Sequence, residues 1–237
     1  VVHMSFIKLS IANSVFKLRG SSSKGVTELD VVLINAAKNY SRVYYTSTYD
    51  PNNPRSPDCW SSNNVKPDML SREMQSDTCS TCEKNITGSG VGATRACRFY
   101  QYVALLLAND LGGAVIQLAV PGSSIFGKTD GASYSMKSYA KYLVQENIDP
   151  EMLVTKMSFD STSMAAKILF KPARWLTAEE QALVLNRGKS DAAMRAIKMS
   201  FAPASVSNID AANLKLTDKN FAVLSQAMGM TADIKFN

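Results

Sequence analysis

All four cysteines of this 237-residue chain fall between Tyr40 and Arg98, and no other stretch constrains the fold as strongly. Cys79 and Cys82 form a C-x-x-C knuckle; nineteen residues separate it from Cys59 and fourteen from Cys97. The connecting loops are made of Ser, Asn, Asp, Pro and Gly, as in Trp60-Ser-Ser-Asn-Asn and Thr87-Gly-Ser-Gly-Val-Gly. Such residues favour turns and build no core of their own, so the segment needs an external tie. Four thiols around one knuckle are a tetrahedral S4 donor set, the chemistry of structural zinc. Two disulfides, four ordinary thiols or a redox pair are the alternatives. Disulfides suit an exported chain, but we find no signal-peptide pattern and no apolar run near eighteen residues, which predicts an intracellular setting. A redox C-x-x-C belongs at a helix start after a strand, whereas Gln75-Ser-Asp-Thr precedes this one.

The chain is 46% hydrophobic, enough for one large domain or two small ones with a proper core. Its formal charge is +6, a mild bias toward a polyanionic partner. Basic residues are concentrated at 1–58 and 161–201, so only folding could merge them. The sole histidine, His3, excludes Ser-His-Asp and Cys-His catalytic arrangements and His-bearing catalytic zinc sites. No Gly-x-x-x-x-Gly-Lys loop is present, and Gly88-Ser-Gly-Val-Gly92 follows polar loop instead of a strand. No residue set asks for catalysis, and the expectation is a protein that is not an enzyme.

Hydrophobic alternation places extended segments at 5–19, 27–37 and 42–49. In the second, Leu29, Val31 and Leu33 share one face and Val32 and Ile34 the other. Residues 50–57, with three prolines, end the third. The run 99–108 fits a strand or a short buried helix; 114–120 reads as a strand and 133–146 as an amphipathic helix. Residues 152–160 and 166–172 make a hairpin. Thr177-Ala-Glu-Glu180 is a capping box opening a helix to about 186, and 190–200 is another helix. This pattern predicts a mainly β fold with some α: an OB-like Greek-key barrel over 1–201, a zinc-binding insertion at 59–97, and an extension at 202–237. A compact α+β sheet domain is the alternative.

A surface that holds single-stranded nucleic acid needs cations along the backbone and aromatic faces for the bases, each stack worth about 1–3 kcal/mol. Lys38, Tyr40, Arg42, Tyr44, Tyr49 and Arg55 interleave the two types, Trp60 adjoins the first cysteine, Lys66 follows, and Arg95 and Arg98 flank the last. Arg42 and Tyr44 alternate onto one side. Lys167 and Lys171 form a second basic edge. Tyrosines on a strand are as often core, and lysines on a hairpin are more often a solvated face.

Specific residues carry a resemblance. Tyr-Asp-Pro-Asn-Asn (49–53), Pro-Asp-Cys-Trp-Ser (57–61), Val-Lys-Pro-Asp (65–68), Gln-Ser-Asp-Thr-Cys-Ser-Thr-Cys (75–82), Asn85, Gly88-Ser89 and Ala96-Cys97-Arg98 resemble a family of tailed-phage replication-region proteins. Val120-Pro-Gly-Ser-Ser, Tyr139 to Leu143, Val154 to Asp160 and Leu169-Phe-Lys-Pro172 extend the likeness over about residues 26–185. The family looks like phage single-stranded DNA-binding proteins with an OB-type core and a four-cysteine zinc insertion. The resemblance implies a structural zinc on Cys59, Cys79, Cys82 and Cys97, single-stranded DNA and replication proteins as partners, no membrane, and action in the host cytoplasm. Many such binders recruit partners through an acidic tail; this sequence closes on Thr-Ala-Asp-Ile-Lys-Phe-Asn.

Overall fold

The computed structural model describes residues 6–19, 24–47, 55–127, 129 and 131–199. Among them the chain is mainly β, with β1 (Ile7–Ala12), β2 (Val15–Leu18), β3 (Glu28–Ala36), β4 (Ser41–Tyr44), β5 (Cys59–Ser61), β6 (Arg98–Leu107), β7 (Ile116–Pro121), β8 (Leu153–Phe159) and β9 (Ile168–Trp175). Four α-helices, α1 (Gly122–Phe126), α2 (Met136–Gln145), α3 (Ala178–Val184) and α4 (Asp191–Ala196), and 3-10 turns at Glu83–Asn85, Pro150–Met152 and Arg187–Lys189 complete it.

The expected first extended element is a hairpin. Asn13 and Ser14, at φ 51° and 56°, form the two-residue turn between the paired Ala12 and Val15. Positive φ at both positions matches the twist of the flanking strands, and asparagine tolerates it. The ambiguous 99–108 run is strand, and β6 becomes the spine of the sheet. Its neighbours leave Val103, Ala104, Leu105 and Leu106 with no exposure at all.

One sheet runs in the order β2-β1-β7-β6-β3-β8-β9, antiparallel except where β1 lies parallel to β7. Two strands share one side of β6. Its C-terminal part pairs with β3, while Arg98, Phe99 and Tyr100 pair with β4. β4 thus continues the ladder of β3 after a break at 37–40, bridged by the Ala37 amide donating to the Tyr102 carbonyl (2.8 Å). β5 pairs with β4, carrying Cys59 opposite Tyr44.

The sheet is curled. Five strand spacings of roughly 4.8 Å separate β2 from β8 along the order, about 24 Å if flat. Yet Phe16 of β2 stacks on Phe159 of β8 with ring centroids 4.3 Å apart. Right-handed twist summed over the strands bends the sheet into a half-barrel. Its inner face buries Val31, Leu33, Val103, Leu105, Phe170 and Tyr139, the last contributed by α2. The opposite face buries Val32, Ile34, Ala104 and Leu106 under Val184 of α3 and Ala193 and Ala196 of α4. The face assignment expected for the β3 segment is the one observed.

The 177–180 capping box forms: the Glu180 amide donates to Thr177 Oγ1 (3.3 Å) and the Thr177 amide to Glu180 Oε2 (2.9 Å). The third predicted strand is shorter than expected, ending at Tyr44. The predicted extension at 202–237 lies outside the described residues.

Candidate functional site

The polar segment between β5 and β6 is tied by its backbone. Asp68 N donates to Trp60 O (2.8 Å), Glu73 N to Asp58 O (2.8 Å), Cys79 N to Val65 O (2.9 Å) and Cys97 N to Lys84 O (2.8 Å). Asn85 closes the knuckle, with its amide on the Cys82 carbonyl and its side-chain Nδ2 on that of Cys79, both 2.9 Å. All four cysteines consequently line one small cavity of about 20 Å³, together with Arg42 and Trp60. That is room for a single water-sized occupant. Cys59, Cys79 and Cys82 are buried, Cys97 is half-buried, and all four are free thiols.

Burial pushes the Cys59 thiol up. It pushes Cys97 up to about 11, with the Arg42 guanidinium beside it acting in the opposite sense. Four sulfurs are the kind of donor set that a thiolate-bound ion uses. Among the described residues, however, no three His, Cys, Asp or Glu side chains converge as a ligand group.

Arg42 and Trp60, expected at a nucleic-acid surface, are buried instead. Arg42 is 5% exposed, and its guanidinium carbon stands 3.8 Å from the centroid of the Phe99 ring. Its Nε donates to Asn64 Oδ1 and its Nη1 to Asn85 Oδ1. Strand alternation, read as solvent against core, missed that the cysteine segment folds over β4 and covers the side that Arg42 occupies. Trp60 packs with Val43, Tyr102 and Met199, because β5 is enclosed by the 68–73 turn.

The other candidates are dispersed. Tyr44 and Tyr45 are both half-buried, and Lys84 lies 5.7 Å from the Tyr44 ring. Lys38 and Lys66 are exposed; Tyr49 lies outside the described residues. Arg55 is engaged by Asp58 at 3.1 Å. Asp58 is itself 1% exposed and also accepts from the amide and hydroxyl of Thr46, each at 2.8 Å. Burial works to raise its pKa, and the Thr46 bonds with Arg55 and Arg72 overcome that, leaving it below the ordinary carboxylate value. The proposed second basic edge is also reduced: Lys167 pairs with Asp160 at 2.7 Å, leaving exposed Lys171.

A larger feature opens beside the thiol cavity. An open cleft of about 1020 Å³ runs past the start of β6 and the end of β7. Arg95, Arg98, Phe99, Tyr100 and Phe126 line it, and Cys97 borders both spaces. Arg95 and Arg98 are exposed and make no ion pair with a carboxylate among the described residues. Phe99, Phe126 and Tyr40 meet edge to face, with Phe99–Phe126 centroids at 5.6 Å and Tyr40–Phe126 at 5.0 Å. Phe126 remains 47% exposed at the end of α1. The cleft thus offers two exposed cations, of which Arg95 also reaches Asn85 Oδ1 (3.5 Å) and lies 5.8 Å from the Phe99 centroid, and the partly open ring of Phe126, a combination suited to a flat, anionic, extended ligand. Phe126 is the residue that sequence reasoning missed. A lone aromatic after Gly-Ser-Ser-Ile gives no local signal; only the pairing of β6 with β7 brings it to Phe99.

Among the described residues no helix is long and apolar enough to cross a membrane. Comparison with protein families, with curated proteins and with solved structures returns no match to this chain.

Proposed function

We propose that this chain is a sequence-independent single-stranded DNA-binding protein acting inside the host cell in phage DNA replication or recombination. The observation that carries the reading is the cleft in which exposed Arg95 and Arg98 flank the aromatic group of Phe99, Tyr100 and Phe126. Cations there meet phosphates, and the ring faces take bases of any identity, because every base has a π-face. The likeness of the 49–98 and 120–172 segments to phage single-strand binders supports the same reading. In its finer form, the half-barrel is an OB-type core, and 59–97 is a zinc-binding insertion whose ion rests on Cys59, Cys79, Cys82 and Cys97. Such a site, closed by four thiolates, serves structure and not catalysis.

Fluorescence anisotropy with labelled oligonucleotides tests the function. Mixed-sequence single strands should bind alike, more tightly than duplex, and should weaken steeply as salt rises. Equal affinity for duplex, or none for either, refutes it. Zinc well under one equivalent in freshly purified, reduced protein removes the metal from the reading while leaving the nucleic-acid test intact.

A second reading, a protein-interaction factor docking on a host or viral enzyme through its zinc loop, draws on one turn. Asp68 holds it through its side chain on the Leu70 amide (2.9 Å), and Met69 and Leu70 project at 91% and 78% exposure. One stoichiometric protein partner, lost in the Met69→Ser, Leu70→Ser double variant and retained without nucleic acid, would favour it.

A further inference from the structure

The parallel ladder between β1 and β7 stops before its strands do. It pairs Ile7 with Ile116, Lys8 with Gln117 and Leu9 with Leu118, and Ile7 N donates to Val115 O (3.0 Å). In that register the next two bonds would run from Ile11 N to Ala119 O and from Pro121 N to Ile11 O. The second cannot form, because proline has no N–H. Nor does the first: pairing ends at Leu9 and Leu118, although β1 continues to Ala12 and β7 to Pro121. The strands part at this point, and Leu9, Ile11, Ala119 and Pro121 line the cleft of about 1020 Å³.

No neighbouring strand takes up the groups left over. Arg19 N donates to Lys8 O (2.8 Å), which places Lys8, Ser10 and Ala12 on the bonding side toward β2 and turns Ile11 away from it. Phe16, opposite Ile11, exchanges its backbone bonds with Val26 instead (2.7 and 2.9 Å). Ala119 lies opposite Tyr102, whose carbonyl is taken on its far side by Ala37 N (2.8 Å). Ile11 N–H, Ile11 C=O and Ala119 C=O therefore have no backbone partner among the described residues, and all three belong to the cleft. The outer strands differ. Phe170 of β9 exchanges bonds with Tyr134 (2.8 Å each), and Trp60 of β5 is held by Asp68 N and Ser71 Oγ (2.8 and 3.1 Å).

One open donor and two open acceptors stand at the spacing of a strand, and an extended polypeptide carries the same spacing. A base edge does not, since its polar groups sit on adjacent ring atoms. Charge selects the kind of polypeptide: exposed Arg95 and Arg98 line the cleft, and no Asp or Glu is among its lining residues. Leu9, Ile11 and Phe126 add an apolar wall. We propose that the fork between β1 and β7 is a strand-addition site for an extended acidic segment of a partner polypeptide, paired with Ile11 through its backbone and facing Arg95 and Arg98 with its carboxylates. The inference goes beyond the nucleic-acid reading and does not rest on it, although both ligands use the same two arginines.

The test uses the full chain and a capped, labelled peptide of alternating valine and aspartate. In the free chain the Ile11 amide should exchange its hydrogen fast and the Leu9 amide slowly, because only the second is in the ladder. Peptide should move the Ile11 amide resonance and slow its exchange. N-methylation along the peptide backbone should weaken binding by about 2- to 13-fold for each hydrogen bond lost, a comparison that leaves the protein unaltered. Arg95→Gln with Arg98→Gln should weaken it by about 2- to 30-fold, and a valine-lysine peptide should not bind. An Ile11 amide as protected as Leu9 in the free chain, an Ile11 resonance unmoved at millimolar peptide, or equal binding of the N-methylated peptide overturns the proposal. So does an oligonucleotide that slows Ile11 exchange where the peptide does not. Failure of oligonucleotide binding with the peptide results intact would defeat the nucleic-acid reading alone.

Discussion

Truncating Phe126 to alanine separates stacking from charge in the proposed cleft. The ring is 47% exposed, so folding buries only about half of it. Full burial of a phenylalanine is worth roughly 1.5–3 kcal/mol, and its edge contacts with Tyr40 and Phe99 add a fraction more. Phe126→Ala should therefore lower stability by about 1–2 kcal/mol, a drop in Tm of roughly 2–8 °C for a chain of this size. Binding should suffer differently. If one base stacks on the ring, its loss removes about 1–3 kcal/mol, or about 5- to 150-fold in Kd. No phosphate contact is touched, so the slope of log K against log salt should stay where it was. The assay is anisotropy of a labelled single strand at several salt concentrations, with thermal melts confirming that the variant is folded. An affinity within twofold of the parent, or a slope that falls along with the affinity, refutes the stacking role.

Exchanging both cleft arginines, Arg95→Gln with Arg98→Gln, should do the reverse, reducing the salt slope by about 1.4 at roughly 0.7 per phosphate contact on a single strand. Asp58→Asn should cost about 2–3 kcal/mol by denaturant melts, at the low end for a buried carboxylate because Arg55 and Arg72 are exposed enough to rehydrate. The Asp58 pKa is depressed in the folded chain, so its contribution is present above the unfolded value near 4 and is lost as pH falls through the folded value; the variant should show a flatter acid limb below about pH 4. Gly188→Ala would drive a β-carbon into the Ile34 carbonyl oxygen and should cost about 1–3 kcal/mol, measured the same way. Thr177→Ala removes the cap of α3 and should cost about 1 kcal/mol.

Those elements whose information is local were legible in the sequence. The period of two in β3 and the capping box at Thr177 depend on residues within a few positions of one another, and the hairpin expected from 152–160 and 166–172 depends on two strands adjacent in the chain; all three form. The site was less legible because its geometry is set by non-local pairing. Arg42 was expected in solvent because alternation on a strand reports only which residues share a side. It cannot report that the 62–85 segment returns to cover that side with Asn64 and Asn85. Lys167 looked like a free cation until the hairpin brought Asp160 within 2.7 Å. Phe126 carried no signal until β7 aligned Pro121 with Tyr100 and α1 followed from there.

The cysteine segment also explains why the two spaces lie side by side. Between Ser62 and Ala96 the buried apolar side chains are those of Cys79 and Cys82, while Val65, Met69, Leu70, Met74, Ile86 and Val91 stand exposed. At about 25 cal/mol per Å², so little burial cannot offset roughly 1–2 kcal/mol of backbone entropy for every residue ordered. Backbone bonds to Trp60 and Asp58 help, but each is worth only about 1 kcal/mol net. The deficit must be met where the chain converges, and it converges on the thiol cavity. Cys97 then hands the chain directly to Arg98 and Phe99, so whatever stabilises the cavity also fixes the first residues of β6 in the cleft. On this argument, a Cys97→Ser chain that still folds should lose cleft affinity without any cleft residue having changed, and unaltered oligonucleotide binding in that variant would show that the two spaces are neighbours without being coupled.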